Sequence, residues 1–269
     1  QQALRQALEF EHNSLTRSQV RLELAIASYE LGELDDAFAQ AKAAVTRVDS
    51  GAFRRATLAL DIGRGINVMA GVERARGDHA ALQATRDAQR GYLADDNQRT
   101  LWAWERAQDE LFAGPSRKAI PWLRQVRASA PSPLTEPHRE LAQLWLCRLE
   151  TDCPAGAARG ARDAIERMQI PRYGVEAGLA YASWLASSGQ VAAARSAYAE
   201  LLNEVIFLRF SVPGVLGDWY WRRSALLAEE ALTLLRNAEP RSHLLGLVRV
   251  QWLAATANAL GLPFDGRAA

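Results

Sequence analysis

Three stretches of this sequence carry the same spacing of small and apolar residues around a glycine, and this spacing constrains the fold more than any other feature. Tyr181–Leu202 reads YASWLASSGQVAAARSAYAELL, with small residues on both sides of Gly189 and larger apolar residues at Tyr198 and Leu201. Glycine adopts the left-handed conformation that ends a helix at little steric cost. The pattern therefore predicts a helical hairpin, which needs neighbours to bury its apolar faces.

The same spacing occurs three times, counted from Ser18, Thr100 and Val175. Positions 8, 15, 17, 20, 24 and 27 of the first copy are Ala25, Gly32, Leu34, Ala37, Ala41 and Ala44. The other copies hold Ala107, Gly114, Ser116, Ala119, Leu123 and Val126, and Ala182, Gly189, Val191, Ala194, Tyr198 and Leu201. Gly114 and Gly189 lie 75 residues apart, or two periods of 37.5. This recurrence indicates an array of helical repeats.

One further copy keeps the turn and loses the apolar pattern. Its turn is at Gly77, and the positions that match Leu123 and Val126 hold Arg86 and Gln89. We therefore expect a helical hairpin here with an altered interior.

The whole chain, residues 1–269, is predicted to be one all-α domain of about 13 helices without a sheet, because runs of alternating β-branched residues are absent. A leading half repeat is predicted at 1–14. The predicted helical hairpins are 16–49, 52–94, 98–131, 134–169, 173–207 and 217–261. A longer connection is predicted at Phe207–Val215, which contains Pro213 and Gly214. Since residue 1 is Gln and not Met, we expect a fragment of a longer chain.

These residues resemble the tetratricopeptide repeat (TPR), a 34-residue helix-turn-helix with small residues at positions 8 and 20 and Gly at 15. The matching stretches are Ser18–Asp49, Thr100–Pro131 and Val175–Leu202. They depart at position 4, where the usual Trp is Arg21, Ala103 or Gly178. The resemblance implies a right-handed superhelical array, an α-solenoid, that binds a protein segment on a concave surface lined by the first helix of each pair.

Polar residues of the first helices are the candidate ligand site. Arg64, Asn67 and Arg74 could hold a peptide carboxylate or phosphate through charge-assisted hydrogen bonds. Trp104 could bury an apolar side chain of the ligand. The candidate groove residues are Arg64, Asn67, Arg74, Trp104, Gln108, Arg139 and Gln143. The alternative is that they are ordinary solvated or packing positions.

An aromatic cluster near the end of the chain is a second candidate surface. Trp219 and Trp221, with Arg222 as a polar rim, could dock another domain or a second protomer. The alternative interpretation places these aromatic side chains in the core of the last hairpins.

Catalytic and metal-binding patterns are missing from the sequence. The four histidines, His12, His79, His138 and His243, are isolated, and no pair has the i, i+4 spacing of a metal site on a helix. We expect no enzymatic activity, metal or cofactor in this segment. A net charge of +1 argues against nucleic-acid binding. No apolar run is long enough to span a membrane.

The basic residues and the cysteines give weaker indications. Lys42 and Lys118 are the only lysines among 32 basic residues, a bias typical of a GC-rich genome, or of a surface that recognises carboxylates or phosphates. Cys147 and Cys153 could pair only if the chain turns between them. We expect two unpaired thiols, and hence a cytoplasmic protein.

Two functions are compatible with this sequence. The first is an interaction module that binds a protein or peptide partner in the groove of the solenoid, alongside other domains of the same polypeptide. The alternative is a regulatory sensor domain of a signalling or transcription protein that responds to a peptide or small ligand. An open groove favours the first function, whereas a closed pocket around Trp104 favours the second.

Overall fold

Glycines in the left-handed conformation stand where the sequence predicts that two first helices end. In this computed structural model, Gly77 has a φ angle of 71° and follows the helix Arg55–Arg76. Gly189 has a φ angle of 78° and lies two residues after the helix Pro171–Ser187. The Asp78 carboxylate then accepts a hydrogen bond from the Ala81 amide at 3.0 Å, which caps the following helix.

The structure describes residues 1–11, 14–31, 33–49, 55–93, 95–111, 116–150, 152–211, 231–234 and 245–249. All regular structure in these residues is helical, which confirms the all-α prediction. The helices are α1 (Gln2–Phe10), α2 (Ser14–Leu31), α3 (Leu34–Asp49), α4 (Arg55–Arg76), α5 (His79–Gln89), α6 (Asp96–Leu111), α7 (Ile120–Ala128), α8 (Glu136–Leu149), α9 (Ala155–Met168), α10 (Pro171–Ser187) and α11 (Val191–Ser211). Short 3-10 helices lie at Arg90–Tyr92 and Arg117–Ala119.

The predicted connection Phe207–Val215 is wrong in its first part, because α11 continues to Ser211. The sequence of α11 contains neither Gly nor Pro, so no residue interrupts the helix before Pro213. The last predicted hairpin, 217–261, lies outside the described residues except for 231–234 and 245–249, which are helical.

The chain divides into two compact units, Gln1–Asp109 (unit 1) and Glu110–Ala269 (unit 2). In unit 1, α2 packs on α3, α3 packs on α4, and α2 also contacts α4. In unit 2, α8 packs on α9, α9 packs on α10, and α8 also contacts α10. Each unit therefore repeats one packing scheme, in which a first helix contacts its own partner and the next first helix.

The repeated sequence positions are the positions that pack. At positions 8, 20, 24 and 27 of the three copies, no residue is more than 5% exposed. The twelve residues are Ala25, Ala37, Ala41, Ala44, Ala107, Ala119, Leu123, Val126, Ala182, Ala194, Tyr198 and Leu201. Small residues at the first of these positions let neighbouring helix backbones approach closely.

None of the helices in the described part of the chain is both long enough and apolar enough to cross a lipid bilayer.

Candidate functional site

Arg86 occupies an apolar position of the repeat, and its side chain is fully buried in unit 1. Its Nε and Nη2 atoms donate to the two oxygens of the Asp109 carboxylate, at 2.8 and 3.2 Å. Nη1 donates to Asn67 Oδ1 at 2.6 Å and to Gln89 Oε1 at 3.1 Å. Nη2 also donates to Glu105 Oε2 at 3.1 Å. The five N–H donors of the guanidinium group thus have five acceptors, which is the condition for burying this cation.

Arg74 completes this group, which we call the Arg86 network. Its Nη1 atom lies 3.1 Å from Asp109 Oδ1, and its side chain also hydrogen-bonds with Tyr29. Burial by itself would lower the pKa of Arg74, but the interactions with Tyr29, Glu105 and Asp109 outweigh burial and raise the pKa. Two arginines face two carboxylates, so the charges of the network balance. Arg74, predicted to meet a ligand, holds Asp109 instead.

Trp102 joins α6 to the Arg86 network through its indole nitrogen. Nε1 donates a hydrogen bond of 3.1 Å to the Arg86 carbonyl, and the residue is 7% exposed. The Arg106 guanidinium lies 6.0 Å from the centre of the Trp102 ring, and its Nη1 donates to Gln83 Oε1 at 2.9 Å. These contacts hold the indole ring in one orientation.

A pocket of about 120 Å³ in unit 1 has part of the Arg86 network in its wall, and we call it the α4–α6 pocket. Its lining residues are Gly63, Arg64, Asn67, Gln89, Tyr92, Leu93, Gln98, Leu101 and Trp102. Pockets that enclose whole small molecules usually measure about 300–1,000 Å³. The α4–α6 pocket is therefore the size of a site for one side chain.

The amide group of Asn67 is held in a fixed orientation at this pocket. Its Oδ1 atom accepts hydrogen bonds from Arg86 Nη1 at 2.6 Å and from Gln89 Nε2 at 3.0 Å. Because Arg86 can only donate, the oxygen must face it and the NH₂ group must point elsewhere. Within the described residues that NH₂ group has no acceptor. Two N–H donors of Asn67 are therefore available to a ligand.

Arg64 is the second donor at the α4–α6 pocket. Its Nη2 atom lies 2.8 Å from Glu23 Oε1, and both side chains are about half exposed, at 42% and 49%. Exposed ion pairs of this kind contribute only about 0–1 kcal/mol. A ligand carboxylate or carbonyl could therefore displace Glu23 at small cost.

Apart from Arg74, the predicted site residues separate into four groups. Arg64 and Asn67 line the α4–α6 pocket, whereas Trp104 and Gln108 are buried, at 4% and 6% exposure. Arg139 and Gln143 belong to unit 2 and are half-buried on α8. The candidate docking residues Trp219, Trp221 and Arg222 lie outside the described residues.

Sequence reasoning missed Trp102 and Gln89 as pocket residues, because helical spacing selected Trp104 as the aromatic side chain of the groove. The sequence did contain an indication of this site, because Arg86 and Gln89 occupy positions that are apolar in the other copies of the repeat. Polar residues at buried positions require partners, and one of these partners, Asn67, lines the pocket.

Glu73 is a further buried ionisable residue of unit 1, and it is not hydrogen-bonded to Arg86 or Asp109 among the described residues. The Thr85 hydroxyl donates to its Oε1 atom at 3.0 Å, but its buried Oε2 atom has no hydrogen-bond partner among the residues that the structure describes. Burial raises the pKa of Glu73, and Asp78 adds to this effect, while the hydrogen bond from Thr85 opposes it. Glu73 therefore keeps a proton to a higher pH than an exposed glutamate.

The prediction of two unpaired cysteines is wrong in this structure, because Cys147 and Cys153 form a disulfide. The last turn of α8 holds Cys147, and the chain leaves the helix after Leu149. This turn brings the two Cα atoms within 4.8 Å, a separation that a disulfide can bridge. The expectation of a cytoplasmic protein rested on unpaired thiols and loses that support.

Unit 2 contains a cavity of about 590 Å³ beside this bond, the disulfide cavity. Its lining includes Arg117, Arg148 and Trp184 together with both cysteines. A second cavity, of about 340 Å³, lies among α9, α10 and α11 and has Glu166, Glu200 and Glu204 in its wall. Burial raises the pKa of Glu204; Arg162 lowers it and Glu166 raises it further.

Within the described ranges, no group of three or more His, Cys, Asp and Glu side chains is arranged to hold a metal ion. Comparisons with protein-family models, with curated proteins and with solved structures found no match to this chain.

Proposed function

We propose that this chain is an interaction module that binds an extended segment of a partner protein, and that the α4–α6 pocket of unit 1 anchors the segment. One apolar side chain of the partner would enter between Tyr92, Leu93 and Leu101. The observation that carries the proposal is the Asn67 NH₂ group, whose orientation is fixed by Arg86 and Gln89.

The polar groups at the pocket determine which ligand fits. Asn67 and Arg64 offer N–H donors, while Gln89 uses its amide within the protein, in hydrogen bonds with Arg86, Asn67 and the Gly63 carbonyl. A pocket whose available groups are donors requires a ligand with acceptors. A peptide meets this need, since each residue carries a carbonyl oxygen next to its side chain. A chain terminus would add a carboxylate for Arg64.

The repeat architecture supports the same function. The resemblance to TPR proteins implies hairpins stacked in a right-handed superhelix, and the contact of α2 with α4 agrees with that scheme inside unit 1. First helices that lie side by side present one extended surface to a partner. Residues 64 and 67 stand on the first helix of the second predicted hairpin.

A displayed library of random short peptides tests the proposal with the full chain. We expect the selected peptides to share one apolar residue, and to bind the Asn67→Asp variant about tenfold more weakly. This substitution keeps the oxygen that faces Arg86 and replaces only the NH₂ group. Asn97→Asp makes the same chemical change on α6 outside the pocket and should leave affinity unchanged.

Two further variants separate the elements of the site. Leu101→Phe should fill the pocket and weaken every selected peptide. Arg64→Gln should weaken only peptides whose terminal carboxylate is bound. If the wild-type chain selects no common apolar residue, or if Asn67→Asp binds the peptides as tightly as wild type, this function is rejected.

The sensor function is a second candidate because the two cavities of unit 2 are large enough for a small ligand. Their volumes of about 340 and 590 Å³ fall within the range of about 300–1,000 Å³ of small-molecule sites. A closed pocket around Trp104 would have favoured this function, and Trp104 is itself buried, at 4% exposure. A screen of small molecules by thermal shift would favour this candidate if ligands raised the melting temperature without affecting peptide binding.

A further inference from the structure

We propose that the Cys147–Cys153 disulfide is a thiol-exchange site, and that the disulfide cavity admits a small thiol that carries a negative charge. The disulfide forms part of the wall of a cavity of about 590 Å³. This volume is ample for a low-molecular-weight thiol. The inference is independent of peptide binding by unit 1.

The charges at the disulfide cavity favour an anionic reactant. Arg117 and Arg148 both line it. Arg148 Nε donates a hydrogen bond to the neutral Ser183 hydroxyl, and Arg117 is exposed without an ion pair among the described residues. The one carboxylate in the wall, Glu150, is already paired with Arg124 at 2.7 Å. The cavity therefore presents uncompensated positive charge.

The two sulfur atoms differ in access, and this difference sets the direction of the reaction. Cys147 is 2% exposed, whereas Cys153 is half-buried. An incoming thiolate therefore reaches the Cys153 sulfur more readily than the Cys147 sulfur, and Cys147 becomes the leaving group. Gln143 Nε2 lies 3.4 Å from Cys147 Sγ as a donor, and Arg127 Nε holds the Gln143 amide at 3.1 Å. This donor stabilises the departing thiolate.

The exchange proceeds in two balanced steps. The small thiolate forms a bond to Cys153 Sγ, the Cys147–Cys153 bond breaks, and its electron pair leaves on Cys147 Sγ, which takes a proton from water. A second small thiolate then attacks the small-molecule sulfur of the mixed disulfide and releases the Cys153 thiolate. Two small thiols are oxidised to their disulfide, and the protein disulfide is reduced by two electrons. The segment between α8 and α9 is then no longer tied to α8.

Exchange rates of the full chain with three small thiols test the role of charge. The probes are 2-mercaptoethanesulfonate, 2-mercaptoethanol and cysteamine, which are anionic, neutral and cationic, and rates are compared at equal thiolate concentration. We expect the anionic thiol to react about fivefold faster than the neutral one, and the cationic thiol to react slowest. About 1 M salt should remove most of this difference.

Matched variants identify the groups responsible. Arg117→Gln with Arg148→Gln should abolish the preference for the anionic thiol, whereas Arg159→Gln, an exposed site on α9 outside the cavity, should preserve it. Gln143→Leu should slow all three thiols by a similar factor, because it acts on the leaving group and not on the charge of the reactant.

The mixed disulfide gives a second measurement. After an acid quench, peptide mapping should find the small thiol on Cys153. An adduct mainly on Cys147, equal rates for the three thiols, or two free thiols after air oxidation of the purified chain would each overturn the proposal. None of these results depends on peptide binding.

Discussion

The same two repeat positions have opposite chemistry in α5 and α7. Arg86 and Gln89 on α5 correspond to Leu123 and Val126 on α7, and all four residues are at most 4% exposed. A repeat position therefore specifies that a side chain is buried, and leaves its polarity open. In α7, apolar packing is enough. In α5, burial requires partners from other helices, and Asp109 is one of them.

The largest expected difference in stability is between substitutions at Arg86 and at Leu123. Arg86→Met should lower the free energy of unfolding by about 3–5 kcal/mol, because it leaves Arg74 alone to balance the carboxylates of Asp109 and Glu105. Leu123→Met conserves volume and polarity and should cost less than about 1.5 kcal/mol. Urea denaturation of both variants measures this difference. Equal losses would show that the Arg86 network is no more demanding than the apolar packing at Leu123.

Two glycines of α4 sharpen the comparison within unit 1. A Cβ atom at Gly71 would lie 2.9 Å from the Tyr29 ring, which supports Arg74, whereas a Cβ at Gly63 would meet no described atom within 4 Å. Gly71→Ala should therefore destabilise unit 1 by about 1–3 kcal/mol. Gly63→Ala should stabilise it by about 0.5–1 kcal/mol, since alanine favours the helix. Thermal unfolding of both variants measures these effects. A change in the same direction for both variants would contradict the prediction.

Two tryptophans compare a satisfied polar group with an unsatisfied one. Trp102 Nε1 donates to the Arg86 carbonyl, whereas the buried Trp145 Nε1 has no hydrogen-bond partner in the described part of the chain. Replacement by Phe removes the same atoms at both positions. Trp102→Phe should cost about 1 kcal/mol more than Trp145→Phe, because only the first change breaks a hydrogen bond. Chemical denaturation of the two variants measures this difference in stability. A larger loss of stability for Trp145→Phe would contradict the hydrogen bond assigned to Trp102.

The smallest expected effect concerns Glu73 and Asp36, two carboxyl groups of unit 1 whose pKa values shift in opposite directions. Replacing either one should change the free energy of unfolding by less than about 1 kcal/mol at neutral pH. Burial raises the pKa of Glu73. Burial alone would also raise the pKa of Asp36, but hydrogen bonds with Ser28, Gln40 and Arg5 outweigh it and lower the pKa.

The two shifts have opposite consequences for stability. Protonated Glu73 stabilises the fold below about pH 4, and this contribution is lost as the pH rises through its raised pKa. Ionised Asp36 stabilises the fold above about pH 4, and this contribution is lost as the pH falls through its lowered pKa. Glu73→Gln should therefore be more stable than wild type at pH 7 and lose that advantage in acid. Asp36→Asn should be less stable at pH 7, and its deficit should disappear in acid. Urea denaturation at several pH values provides the measurement, and parallel pH curves for wild type and Glu73→Gln would exclude this role for Glu73.

Helix positions and buried repeat positions were accessible from the sequence, because they depend on local chemistry and spacing. The predicted hairpin 134–169 contains the observed helices Glu136–Leu149 and Ala155–Met168, and Gly77 and Gly189 were expected at the turns where they lie. The residues that line the α4–α6 pocket could be predicted only in part. Arg64 and Asn67 were recognised by residue type, but helical spacing cannot decide whether Trp102 or Trp104 lines a pocket.

The sequence by itself determined that this chain is helical and which repeat positions are buried, since backbone propensity and apolar periodicity act over a few residues. Tertiary structure decided what the polar residues do. It buried Arg74 and Arg86 against Asp109, left the Asn67 NH₂ group available to a ligand, and paired Cys147 with Cys153. The first two outcomes depend on residues 19 to 35 positions apart in sequence, because a buried charge is stable only where the fold supplies its partners. The disulfide joins residues only six positions apart, and it forms because the chain turns after α8.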